Sequence, residues 1–291
     1  MPSMSLFLSQ LFNGLATGLL LALISTGLTI IYGTLGVINF AHGALFVVGG
    51  YAGFSAYEMT GSFVIALVAG SLVALVVGLV IERGLMRKYY GRPPEDQILV
   101  TFGIGIILVE VVRSIYGGIS LTVPTPEWGQ GIARIGTLIY PLYRLQTLGI
   151  AAITLAGLYF VLYRTSLGLI VRAGIEDSEM VNALGINVKR TFLLVFGLGA
   201  MAAGYAGVID APIVSLMPDM GHRILVDSFV VVVIGGVGSF PGAIIGGIIA
   251  GEILSLTSMF NPAYSDVMLF VVMALVLIFR PQGLMGQEGR E

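Results

Sequence analysis

Tyr32-Gly33-Thr34-Leu35-Gly36-Val37-Ile38-Asn39-Phe40-Ala41-His42-Gly43 interrupts an apolar run that carries no charge from the N-terminus to Tyr57. The first charged side chain in the chain is Glu58, and the first basic one is Arg83. Asn39, His42 and three glycines inside such a run are costly in lipid. Broken backbone and polar groups at that depth are tolerated only where they pack in protein or line a wet cavity. The stretch therefore reads as a broken membrane helix beside a transport pathway rather than as part of a plain anchor.

Composition points the same way. Of 291 residues, 57% are hydrophobic and only 10% charged, against about 25% charged in soluble domains. Mean hydropathy is +0.99. This is the signature of a polytopic membrane protein in contact with lipid. The net charge of -2 and the lack of a basic patch give no reason to expect nucleic acid. Without cysteine there are no disulfides, thiol chemistry or Cys-based metal sites. The two histidines, His42 and His222, are too far apart for metal-ligand spacing. No phosphate-binding GxxxxGK loop occurs, so the chain cannot hydrolyse ATP by that route. Neither a nucleophile–base pairing nor a metal cluster is visible, so no enzyme activity and no cofactor is expected. The N-terminus lacks the positive region of a cleaved signal peptide.

Apolar segments of about 20 residues mark spans near 10–31, 37–57, 62–82, 98–116, 145–163, 191–212 and 265–279. The region 225–257 is too long for one crossing. Gly235-Gly236-Val237-Gly238-Ser239-Phe240-Pro241-Gly242 breaks it, so two shorter or broken helices are expected there. The fold class is all-α: one transmembrane helical bundle over 1–291 with about eight or nine spanning or broken helices. The broken piece echoes the first. Gly36 to Ala44 followed by Gly49-Gly50 parallels Gly236 to Ala243 followed by Gly246-Gly247, with one gap at His42. Paired glycine-interrupted segments in two halves point to a transporter's substrate site.

Basic residues set orientation. Loops 83–97 and 164–190 and the C-terminal end carry ten Lys and Arg, against four on the other side. That places the N-terminus outside and the C-terminus in the cytoplasm. Trp128, Tyr140 and Tyr143 of the external loop 117–144 suit an interfacial belt, and contact with an external partner is the alternative. Small-residue ladders at Gly199/Ala203/Gly207, Gly242/Gly246/Ala250 and Gly247/Gly251 each lie on one helix face. They suit close helix packing, or else faces that slide during gating. Glu110 is the deepest ionisable residue and can pair with Arg113 three residues on. No carboxylate relay for ion coupling stands out, and His42 is the one candidate proton site.

Within the cytoplasmic segment 164–190, a short helix is expected from about 177 to 184. Glu176 and Asp177 favour its positive end, and Gly185 ends it. Met180, Val181 and Leu184 make one side apolar, with Ala183 beside them. Such a helix between two spans suits docking into a groove on a cytoplasmic partner.

Taken together, these motifs resemble the inner-membrane permeases of branched-chain amino-acid ABC importers, the LivH-like branch. Three stretches carry the resemblance: Tyr32-Gly33 through His42-Gly43, Arg172-Ala173 through Leu184-Gly185-Ile186, and Val232 through Gly247. Phe279-Arg280-Pro281-Gln282-Gly283-Leu284 also fits. Many relatives carry Glu after the Asn-Phe-Ala-His-Gly run, where this chain has Ala44.

The resemblance implies an inner-membrane location in a bacterial or archaeal cell. It also implies a homologous second permease forming a heteromeric pair, two cytoplasmic ATPase subunits, and a soluble periplasmic or extracellular substrate-binding protein. On this reading the coupling helix comprises Glu176, Asp177, Met180, Ala183, Leu184 and Gly185. The pathway comprises Asn39, Phe40, His42, Gly43, Gly235, Gly236, Gly238, Ser239 and Phe240. Alternatives are an ABC permease for urea or short amides, a stand-alone small-solute channel, and a proton-driven carrier using His42.

Overall fold

The computed structural model describes residues 4–136, 138–176 and 178–286. Four helices come first: α1 (Met4–Leu35), α2 (His42–Thr60), α3 (Phe63–Gly84) and α4 (Pro94–Tyr116). A hairpin of β1 (Ile132–Ile135) and β2 (Leu138–Pro141) follows, antiparallel with Ile132 opposite Pro141. Next come α5 (Leu142–Arg164), α6 (Ser166–Glu176), α7 (Ser178–Ala183) and α8 (Val188–Asp210). The chain closes with α9 (Met220–Gly235), α10 (Phe240–Phe260) and α11 (Ser265–Phe279).

Local chemistry sets the helix ends. Gly61, at φ +67°, stops α2 and returns its N–H to Tyr57 O at 2.7 Å. Pro94 opens α4, with Glu95 and Asp96 in the first turn facing the positive helix end. The result is an all-α polytopic bundle. Among the described residues, seven segments, built on α1, α3, α4, α5, α8, α10 and α11, are long and apolar enough to cross a membrane. α2 and α9 adjoin the two interruptions.

The chain divides into two compact units. One comprises Met1–Thr26, Pro124–Ile153 and Val226–Glu291, the other Gly27–Val123 and Thr154–Leu225. In the second unit, α2, α3 and α8 approach through small residues. A Cβ added at Gly49 would collide with the backbone of Gly204, and one at Gly207 with Phe46 O. Buried Ala66, Ala74, Ala200 and Ala203 fill the rest. In the first unit, α10 presents two small faces. Gly242 and Gly246 meet α9, while Gly247 and Gly251 meet the Gly14–Gly18 turn of α1. Leu21, Val231, Ile234, Ala250 and Leu269 close the core beside them. The ladders are thus sites of backbone contact, where van der Waals packing rather than hydrophobic transfer holds helices together in lipid.

One sequence reading is corrected. Tyr140 and Tyr143 are buried instead of lying at an interface, and only Trp128 stays exposed. The reason is internal polar pairing. Tyr140 donates to Asn13 Oδ1 at 2.9 Å, and Arg144 donates to the same oxygen at 2.7 Å. Glu110 pairs with Arg113 as the spacing predicts, at 3.5 Å, and Arg113 also pairs with Asp219.

Candidate functional site

The first interruption is built by side chains. Gly36, at φ +64°, ends α1 with its N–H on Tyr32 O at 2.8 Å. Residues 36–41 then run without helix to His42. Asn39 is fully buried, and its Oδ1 accepts the Ala41 N–H at 3.0 Å. The Phe40 N–H donates to Thr101 Oγ1 on α4 at 3.1 Å. Buried Asn39 Nδ2 has no hydrogen-bond partner among the described residues. An unmet buried donor costs about 1–3 kcal/mol. Phe40, Ala44, Phe102, Val109 and Leu225 help line a small apolar pocket with the His222 imidazole. His42 is fully buried at the start of α2, its ring against Gly27. Gly43 lets α2 meet the first turn of α9, since a Cβ there would strike Gly221 O.

The second interruption is built by backbone. Gly236 and Gly238 adopt φ of +104° and +81°. Gly236 N–H closes on Val232 O at 2.9 Å, and Ser239 Oγ caps α10 by accepting Gly242 N–H at 3.1 Å. Leu284 and Met285 donate to Ile234 O and Gly235 O, each at 2.9 Å. Those bonds satisfy carbonyls that the end of α9 leaves open. A Cβ at Gly236 would collide with the backbone of Gly286. Phe240 is buried and Val237 exposed.

Between α5 and α8 the sequence predicts one short helix, and the structure holds two. Glu176 closes α6, and Asp177 lies outside the described residues. Gly185, at φ +82°, ends α7: its N–H bonds Asn182 O at 2.9 Å and Ile186 N–H bonds Val181 O at 3.3 Å. Asn182 Oδ1 accepts Val188 N–H at 3.3 Å, tying α7 to the start of α8. The predicted apolar side divides. Val181 is buried, whereas Met180 and Leu184 are 59% and 72% exposed. Four residues apart, these two share one outward face; Ala183 is exposed as well. Upstream, Arg172 Nη1 donates to Leu162 O at 2.6 Å and its guanidinium lies 5.6 Å from the Tyr163 ring centre. This fixes the elbow between α5 and α6.

Sequence reasoning missed Glu82, whose side chain is completely buried. Arg87 reaches its two oxygens at 3.1 and 3.4 Å, and Tyr90 OH donates to Oε1 at 2.9 Å. Burial first, then the Glu82 charge, pushes the Tyr90 phenol well above its usual range. The available signal was an acid at a span end followed by Arg and Tyr in the next loop.

A multi-pass helical bundle with two glycine-bearing breaks and a short helix presented between spans defines a membrane transport subunit. The family model described as the permease component of the branched-chain amino acid transport system matches residues 10–277, and the chain belongs to that family. It is 31% identical to the high-affinity branched-chain amino acid transport system permease protein BraD of Pseudomonas aeruginosa, over 99% of this chain and 98% of BraD. It is 33% identical to the permease protein LivH of the corresponding Escherichia coli K12 system, over 97% of this chain and 96% of LivH. LivM, a permease protein of the same system in that strain, is 28% identical over 90% of this chain and 67% of LivM.

Proposed function

We propose that the chain is the membrane-spanning permease subunit of an ATP-binding-cassette importer for branched-chain amino acids. It sits in a bacterial or archaeal inner membrane with its N-terminus outside and C-terminus in the cytoplasm. The family match along nearly the whole chain carries the reading. Two separate ATPase subunits hydrolyse ATP. A homologous permease completes a heteromeric pair, which is supported by likeness to both LivH and LivM of one strain. A soluble binding protein delivers substrate.

The coupling surface is α7, within the 164–190 segment of a single permease domain. Met180 and Leu184 offer a paired apolar knob to a groove on the ATPase, while Val181 and Asn182 keep α7 attached to α8. Movement delivered to α7 would pass through α6 into α5, because Arg172 stiffens the elbow between those two helices. The interruption 36–41 lines the pathway. Apolar walls suit a branched aliphatic side chain. The unmet amide of Asn39 and the N-terminus of α2 at His42–Gly43 suit the substrate carboxylate. Gly235, Gly236, Gly238, Ser239 and Phe240 form a fixed part of the wall.

Met180→Glu combined with Leu184→Glu tests the docking role. Both positions are exposed, so thermal stability of the chain should hold within about 0.5 kcal/mol. ATPase co-purification and leucine uptake should each fall at least about tenfold, the equivalent of 1.4 kcal/mol or more. Unchanged association and uptake would refute the assignment.

A further inference from the structure

We infer that Gln97 and Thr101 of α4 are positioning residues that fasten the interruption 36–41 to the loop 85–93, and through it to the base of α8. The inference rests on the reading of α7 as the coupling helix and of 36–41 as part of the pathway. Every contact in it lies within one compact unit.

At the α8 end, Phe192 stands four residues into the helix. Its ring is 3.7 Å from where a Cβ on Gly174 of α6 would sit, and it meets the Tyr90 ring edge-to-face at 6.4 Å. Tyr90 is in turn held by Glu82, together with Arg87. The loop is therefore anchored at its side chains by a buried carboxylate and touches the helix that follows α7.

At the α4 end, Gln97 is 5% exposed and spends both amide hydrogens on this loop, donating to Tyr89 O and Arg92 O at 3.1 Å each. One helical turn on, fully buried Thr101 uses its hydroxyl in both directions. It donates to Gln97 O at 2.8 Å and accepts from Phe40 N–H at 3.1 Å. Ile38 O lies 3.4 Å from the same oxygen, as an alternative acceptor for its one hydrogen. Gln97 and Thr101 are i and i+4 and so share a face. One strip of α4 thus grips the loop with one residue and the break with the next.

A hydroxyl is suited to this task. A broken segment has orphan N–H groups that must be met inside the protein. A hydroxyl on a neighbouring helix meets the Phe40 N–H without locking the segment into a backbone ladder. The contacts from the α6–α8 base to Phe40 run through half-buried Phe192 and Tyr90, the loop backbone at Tyr89 and Arg92, and buried Gln97 and Thr101. A linkage of this kind is read as the coupling between variants at its two ends.

Hydrogen–deuterium exchange on the full chain in its purified membrane complex provides that measurement. Tyr90→Phe keeps the ring on Phe192 and removes only the bond to Glu82. Exchange of the peptide covering residues 36–43 should rise about fivefold in this variant, although position 90 does not touch that peptide. Thr101→Val should raise it about tenfold, and the double variant should match Thr101→Val alone. Leucine uptake per ATP hydrolysed should fall several-fold in Thr101→Val and return to at least half in Thr101→Ser. Unaltered exchange at 36–43 in Tyr90→Phe, additive effects in the double variant, or no rescue by Ser would each overturn the linkage. If Thr101→Val cannot be purified, Tyr90→Phe decides alone. Failure of the permease reading has a different sign, a purified complex without ATPase subunits.

Discussion

The interruptions at 36–41 and 236–239 look alike in sequence and are held by opposite means. Side chains hold the first: Asn39 receives the Ala41 N–H, and Thr101 receives that of Phe40. At its glycine Gly36, an added Cβ would meet nothing within 4 Å. Backbone holds the second, through bonds from Leu284 and Met285 and with no room for a Cβ at Gly235 or Gly236. Glycine in the first break serves the turn alone, and in the second it serves both turn and contact. A segment tied by a few side-chain bonds can open locally at lower cost than one fixed by backbone packing. The contrast makes 36–41 the more readily opened break and 235–242 the more rigid one, each within its own unit.

Alanine at the paired glycines should break the contrast if it is false. Gly236→Ala suffers both the positive φ and the collision with Gly286, about 3 kcal/mol together. Gly36→Ala suffers the φ strain alone, about 1 kcal/mol. Thermal unfolding in detergent should separate the two variants clearly, and equal losses would show that both breaks are packed alike.

A finer distinction comes from Asn39→Ala against Ser239→Ala. Each removes one side-chain acceptor of a backbone N–H, costing about 1 kcal/mol, but Asn39→Ala also removes the unmet Nδ2 donor. Stability should therefore fall no further for Asn39→Ala than for Ser239→Ala, while leucine uptake should drop several-fold only for Asn39→Ala. Equal uptake in the two would mean that the first break has no special place in transport.

The smallest effect is that of pH. Tyr90 has its phenol pKa raised above the ordinary 10.0 by burial and the nearby Glu82 carboxylate. A raised folded pKa gives stability that is complete below pH about 10 and fades as pH climbs toward the folded value. Exchange at 36–43 should be insensitive to this group from pH 6 to 9, once intrinsic exchange rates are divided out, and should begin to loosen above about 10. Residues 235–242 contain no titratable side chain and should show no such step. Tyr90→Phe should abolish the step at 36–43.

Much of this was legible in the chain. Runs of about 20 apolar residues fixed the long helices, and glycines within such runs marked both breaks, because lipid gives broken backbone no partner. Gly185 located the end of α7 within two residues of the structure. Other features depend on which side a residue faces. Val181 turns inward while Met180 and Leu184 turn outward, a split that a six-residue helix is too short to announce. Tyr140 looked like an interfacial aromatic until Asn13, distant in sequence, supplied its partner. Glu82 and Thr101 escaped notice for the same reason, since their significance lies in what the fold brings beside them. The hairpin of 132–141 and the helix α6 were hidden in loops read only by charge and composition.

The central claim is that this permease moves solute only when driven through α7 by separate ATPases. Leucine uptake into proteoliposomes carrying the complete complex, with and without ATP, tests it most directly. Uptake should require ATP and should collapse in Met180→Glu/Leu184→Glu despite intact membrane insertion. Equal uptake by the isolated chain with neither nucleotide nor ATPase subunits would contradict it.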